Sequence, residues 1–190
     1  MSHLVRADEL HRRLDDPNLV ILDASWYLPA HARDAEAEYL AGRLPGARRF
    51  DFDGEIARRD TPLPHMLPPP DELTEHLRQL GLRADSRVVV YDGMGLFAAP
   101  RARWMLRAAG LARVAVLDGG RPAWTAAGYS LETGAPPPWR EGDIVAAAPG
   151  RWVADADDVA RALADTACAV LDARPADRFA GRAPEPRDGL

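Results

Sequence analysis

An α/β fold with a mostly parallel sheet flanked by helices is predicted by three features of the chain. Apolar, β-branched runs alternate with helix-like segments, as when both faces of a parallel sheet are covered. One stretch, Arg87 to Trp104, passes from strand to glycine-bearing loop to helix without interruption. A faint repeat then returns at the far end of the chain. Leu4, Asp8, Leu10, Leu14, Asp16 and Leu22-Asp23-Ala24 correspond, at a constant offset of 149 positions, to Val153, Asp157, Val159, Leu163, Asp165 and Leu171-Asp172-Ala173. That register predicts a duplicated domain.

Taken in order, Leu4 to Leu14 carries Leu10 and Leu14 four apart, with Asp8 placed to cap a short helix. Leu19 to Asp23 reads as a buried strand, and Ala35 to Leu40 as a helix. Gly42 to Ala47 turns the chain before Arg49 to Phe52. From Asp53 to Pro70 there are five prolines and little periodicity, the mark of a long functional loop. Asp71 to Leu82 spaces Leu73, Leu77 and Leu80 as a helix would, with Gly81 as its stop. In the Arg87–Trp104 unit, Val88 to Val90 form a strand, Gly93 and Gly95 permit a turn, and Pro100 opens a helix that ends at Gly110. Val114 to Leu117 is a further strand, Asp118-Gly119-Gly120 a turn, and Pro122 to Ala127 a short helix. The expected organisation is a first domain over residues 1–133, a proline-rich linker over 134–150, and the beginning of a second domain over 151–190.

Composition narrows the functional classes. The 190 residues are 47% hydrophobic and 28% charged, with a formal net charge of −5. Such a chain has no electrostatic basis for binding a phosphate backbone, so nucleic acid is not an expected partner. No stretch approaches the roughly 20 apolar residues needed to cross a bilayer, no membrane partner is expected, and the expected compartment is cytoplasmic. All basic residues are arginine, a coding bias. The one cysteine, Cys168, aligns with the strand position Leu19, which makes it an expected buried hydrophobe.

The ordered motifs resemble those of tandem-domain rhodanese sulfurtransferases. In the first domain these are Val88 to Asp92 with its glycine loop, Ala99-Pro100-Arg101, Trp104, and Leu117 to Gly120 followed by Trp124. In the second they are Leu171 to Arg174, Arg178-Phe179 and Glu185-Pro186-Arg187. The resemblance implies two similar α/β domains, of which the second holds a nucleophilic cysteine at the end of the strand equivalent to Val88–Tyr91. Asp92 occupies that position in the first domain, and its counterpart falls near position 241, beyond Leu190. The 190 residues are accordingly expected to be inactive alone.

The subtype resembled is 3-mercaptopyruvate sulfurtransferase. It implies that Arg178 and Arg187 grip the donor carboxylate, a task suited to guanidinium forks. It also implies that Asp53 and His65 form a proton relay reaching the second domain's site. Expected substrates are a small sulfur donor, either a 2-oxo thiol acid or thiosulfate, and a cyanide or thiol acceptor, thioredoxin among the latter. No metal or organic cofactor is implied. Two alternatives remain open: a thiosulfate:cyanide sulfurtransferase, and a non-catalytic rhodanese-like binding or regulatory module.

Overall fold

The computed structural model describes residues 3–184. The described residues divide into two units, split between Gly150 and Arg151. The first contains a five-stranded sheet in the order β1-β5-β4-β2-β3, made of Leu4–Val5 (β1), Leu19–Asp23 (β2), Arg48–Arg49 (β3), Arg87–Tyr91 (β4) and Val114–Leu117 (β5). Every pairing in it is parallel. The helices are Ala7–His11 (α1), Ala35–Ala41 (α2), Pro70–Gln79 (α3), Ala99–Ala108 (α4) and Gly120–Ala126 (α5).

Alternation along the strands sends side chains to two separate cores. Val20, Leu22, Val88, Val90, Val114 and Val116 pack with Leu73 and Leu77 of α3 and Ala102, Met105 and Leu106 of α4. On the opposite face, Ile21, Val89, Tyr91, Ala115 and Leu117 pack with Leu10 of α1 and Trp124 of α5. Both faces are covered, which is why the strands read as continuous apolar runs. Trp124 is wholly buried, and its indole N–H donates to the Ser130 carbonyl at 2.9 Å.

Two details differ from expectation in this unit. The first segment starts as an edge strand, Leu4–Val5, and α1 is capped by the backbone of Arg6 with no side-chain cap. Asp8 lies inside the first turn, where Arg12 and Arg6 hold its carboxyl below the usual range. The stretch 134–150 forms no helix or strand until its last residue, yet it is strapped to the first unit. Gly142 and Asp143 donate backbone bonds to Arg78 and Leu82, Ala147 donates to Ala109, and Ile144 and Ala146 are buried in the α3–α4 core.

The second unit holds α6 (Ala156–Ala164) and α7 (Ala176–Phe179). α6 has a full capping box in which Asp155 and Asp158 bond each other's backbone N–H. Residues 168–173 form no strand here. Cys168 is exposed, not buried as its alignment with Leu19 predicts, and its thiol donates to Asp165 at 3.4 Å. The reason is that a strand needs a neighbour for its N–H and C=O groups, and residues 151–184 contain no second strand.

The two units should answer mutation differently. Trp124→Ala is expected to cost about 3–5 kcal/mol, as for other fully buried tryptophans. Leu171→Ala, at a side chain 88% exposed, is expected to stay within about 0.5 kcal/mol. Urea unfolding of the 190-residue chain followed by circular dichroism checks both.

Candidate functional site

β4 ends in Asp92, and the chain then folds back around that residue's own side chain. Asp92 is 1% exposed. Its Oδ1 accepts from the N–H groups of Met94 and Gly95 at 2.9 and 2.8 Å. Its Oδ2 accepts from Phe97, Ala98 and Ala99 at 2.8, 2.8 and 2.9 Å. Five backbone donors thus surround one carboxylate, and two of them, Ala98 and Ala99, are orphan groups at the start of α4. α4 has no side-chain cap from its own N-cap residue, Ala98; Asp92 does that work from upstream.

Neighbouring groups fix this loop. Gly93 N–H donates to Ser25 Oγ at 2.9 Å, and a Cβ at Gly93 would collide with the Tyr27 hydroxyl. Gly120 has φ +54°, and a Cβ there would strike the Asp92 carbonyl. Glycine is required at both positions. Behind Tyr27 lies an ion cluster. Glu38 accepts from Tyr27 at 2.8 Å, from Arg33 at 2.6 Å through both carboxylate oxygens, and from Arg121 at 2.6 Å. These donors, Arg33 foremost, hold the Glu38 carboxyl at about 2, and burial pushes Tyr27 up to about 12.

A cleft of about 250 Å³ opens beside the loop, lined by Trp26, Phe52, His65, Phe97, Ala98 and Arg101. The long loop brings Asp53 and His65 together, with His65 Nδ1 2.8 Å from Asp53 Oδ1. The other carboxylate oxygen, Oδ2, accepts from the Trp26 indole N–H at 2.8 Å. The Trp26 and His65 rings meet edge to face with centroids 5.1 Å apart, and Trp26 stacks on Phe97 at 6.2 Å. His65 has the left-handed backbone φ +58°, a strained setting for a residue with a side chain. Arg101, from the first turn of α4, donates to the His65 carbonyl and holds that backbone. An imidazole backed by a carboxylate on a half-exposed rim can receive and return a proton.

Of the two arginines predicted to hold a carboxylate, Arg178 alone lies among the described residues. Arg178 stands on α7, half-buried, where its charge helps keep the Asp172 carboxyl below its usual range, behind the larger effect of the Arg174 hydrogen bonds. Arg187 lies outside the described residues, as do Glu185 and Pro186. Trp26, Phe52, Phe97 and Arg101 were not singled out for the site by their sequence context. Arg101 belongs to a recognisable Ala-Pro-Arg turn, but its contact with His65 joins residues 36 apart, which no local pattern encodes. Among the described residues, no cluster of three or more histidine, cysteine or acidic side chains could hold a metal ion, and no helix is long and apolar enough to cross a membrane.

Two outcomes are expected of the loop and its support. Asp92→Ala leaves five donors facing an empty space, and should cost at least about 3 kcal/mol, given about 1.5–3 kcal/mol for a hydrogen bond to a charged group. Part of that loss should return in tens of millimolar sulfate, read as a rise in the melting midpoint, because an oxyanion can occupy the same donors. Separately, Glu38 has its ordinary value of 4.5 in the unfolded chain and about 2 when folded. The unfolded state therefore binds more protons between those values, so Glu38's contribution is full above pH 4.5 and is lost as pH falls through 2. Glu38→Gln should be less stable than the parent at pH 6 and show a flatter acid-unfolding curve from pH 4.5 to 2.

Comparison with known proteins agrees with this architecture. The Rhodanese-like domain family model matches residues 6–127. The chain is 41% identical over 187 residues to 3-mercaptopyruvate sulfurtransferase of Escherichia coli strain K12, covering 98% of this chain and 66% of that protein. It is 39% identical over 212 residues to the mitochondrial thiosulfate/3-mercaptopyruvate sulfurtransferase 1 of Arabidopsis thaliana, covering 98% of this chain and 54% of that one. The crystal structure of SseA from Escherichia coli, described with the rhodanese fold of 3-mercaptopyruvate sulfotransferases, superposes with a TM-score of 0.88. That match has 39% identity and covers 98% of this chain and 71% of the other. The chain spans between about half and two thirds of the length of these two curated relatives. With a matching family model over most of its first unit, a five-stranded parallel sheet and homologues that are sulfurtransferases, the chain belongs to the rhodanese-like family.

Proposed function

We propose that these residues form the first domain, and the opening of the second, of a sulfurtransferase that takes sulfur from 3-mercaptopyruvate. The observation that carries the reading is the five-donor loop around Asp92. A carboxylate extends from Cβ by two heavy atoms and bears one negative charge, as a cysteine persulfide does. The loop is thus shaped for a sulfur-loaded cysteine, with aspartate in its place. The 149-position repeat puts the equivalent of Asp92 near position 241, and there the proposal places the nucleophile.

In the proposed reaction the cysteine thiolate attacks the donor's sulfur. The donor C–S bond breaks, a persulfide forms on the protein, and pyruvate leaves as its enolate and takes up a proton. Cyanide or a thiolate then removes the outer sulfur and restores the cysteine thiolate. A ring of N–H donors favours both thiolate and persulfide over the neutral thiol. His65, supported by Asp53, is the group proposed to pass the proton, and Arg178 with Arg187 to hold the donor carboxylate. The names of the Arabidopsis relatives include thiosulfate, which keeps that donor as the second reading.

A polypeptide of residues 1–190 should release no thiocyanate from 3-mercaptopyruvate and cyanide; release would overturn the placement of the nucleophile. In a chain continued through the second domain, His65→Gln should lower turnover by roughly 10²–10⁴-fold. Arg187→Ala should impair 3-mercaptopyruvate more than thiosulfate, and equal losses would remove the basis for the donor assignment.

A further inference from the structure

The cleft beside His65 contains a cation with no anionic partner in its lining. Arg101 lines it, and among the described residues no carboxylate pairs with this guanidinium. Its one hydrogen bond goes to the His65 carbonyl, and its buried Nε has no partner. Its guanidinium carbon lies 4.4 Å over the Trp104 ring, so the cation is held flat by an aromatic face and not by an anion. Burial without a counter-charge also lowers its pKa. Arginine has five N–H donors, and unused donors on a partly desolvated cation favour an incoming anion.

The other walls restrict what that anion can be. Trp26, Phe52, Phe97 and Ala98 are apolar, and Phe97 stands half in solvent at the mouth. Asp53, the acid paired with His65, is already engaged by that ring and by the Trp26 indole. One guanidinium against an apolar wall suits one negative charge on a small carbon body. A doubly charged, strongly hydrated oxyanion such as thiosulfate would lose more hydration than one guanidinium returns.

We propose that this cleft is a binding site for a small organic monocarboxylate, with Arg101 taking the carboxylate and Trp26 and Phe97 covering the carbon body. The site is separate from the Arg178 and Arg187 assignment. The choice of ligands rests on the sulfur-transfer reading, which supplies two molecules of this chemistry: the released 2-oxo acid, and a carboxylate-bearing thiol arriving as acceptor. The site stands or falls on binding alone, so its failure and a failure of the sulfur-transfer reading are distinguishable.

The test is a titration of the 190-residue chain with pyruvate and, separately, 3-mercaptopropionate at constant ionic strength, with thiosulfate and sodium chloride as comparison anions. Nuclear magnetic resonance follows the indole N–H signals of Trp26 and Trp104, assigned from Trp26→Phe and Trp104→Phe. Both indoles should shift along one saturation curve for at least one carboxylate. Saturation by pyruvate alone identifies a product site, by 3-mercaptopropionate alone an acceptor site, and by both a shared one. Arg101→Gln should weaken binding at least about tenfold, the loss of a single charge-assisted contact. Phe97→Asp, which places a like charge at the exposed mouth and leaves the core alone, should weaken it similarly and covers the case in which Arg101→Gln does not fold. No saturable shift with either carboxylate, tighter binding of thiosulfate, or unchanged affinity in a folded variant would overturn the site.

Discussion

The capture of the Asp92 carboxylate by five backbone N–H groups is the constraint on which the first unit depends. It ends β4, closes the glycine loop and caps α4 in one interaction. β4 lies between β2 and β5 in the sheet, and α4 supplies Met105 and Leu106 to one of the two cores. A local electrostatic fit at Asp92 is therefore transmitted to both layers through elements that cannot shift independently. The glycines follow from it. The chain must pass close to Tyr27 at Gly93 and close to the Asp92 carbonyl at Gly120, and neither approach admits a Cβ.

The Asp53–His65 pair has a different mechanical basis. His65 sits on a loop without regular structure, where precise placement is hard to maintain. Three tethers compensate: Arg101 holds the carbonyl, the Asp53 carboxylate faces the ring nitrogen, and Trp26 holds that carboxylate from behind. A non-glycine residue in the left-handed region costs about 1–3 kcal/mol, and the Arg101 contact offsets that cost at the strained peptide itself. The same α4 turn thus carries Arg101 toward His65 and Ala99 toward Asp92. Movement of α4 would disturb the Asp92 loop and the Asp53–His65 pair together.

How far this was legible in the sequence depends on range. β2, β4 and β5 are visible as apolar β-branched runs because burial on both faces writes the same residue types at every position. The starts and stops of α3 and α4 follow from Pro70, Gly81, Pro100 and Gly110, whose backbone preferences act locally. Asp53 and His65 are legible only through family motifs, since nothing within their own proline-rich loop shows that the eleven intervening residues fold back on themselves. Arg101 belongs to the Ala-Pro-Arg motif, but no local pattern marks its role, because its partner His65 lies in another segment. Strap residues such as Ile144 and Ala146 read as linker because proline-rich neighbours hide two apolar side chains that dock on the core.

The two copies of the repeat show the limit of local pattern most directly. Leu22-Asp23-Ala24 and Leu171-Asp172-Ala173 are identical triplets. In the first copy Leu22 is fully buried, with β3 and β4 bonded on either side of its strand. In the second, Leu171 is exposed and no strand forms. The helix that precedes each triplet does form, starting at Ala7 in one copy and at Ala156 in the other. A helix closes its hydrogen bonds within itself, whereas a strand depends on partners elsewhere in the chain. The same triplet is therefore a strand only where neighbouring strands give its backbone something to bond.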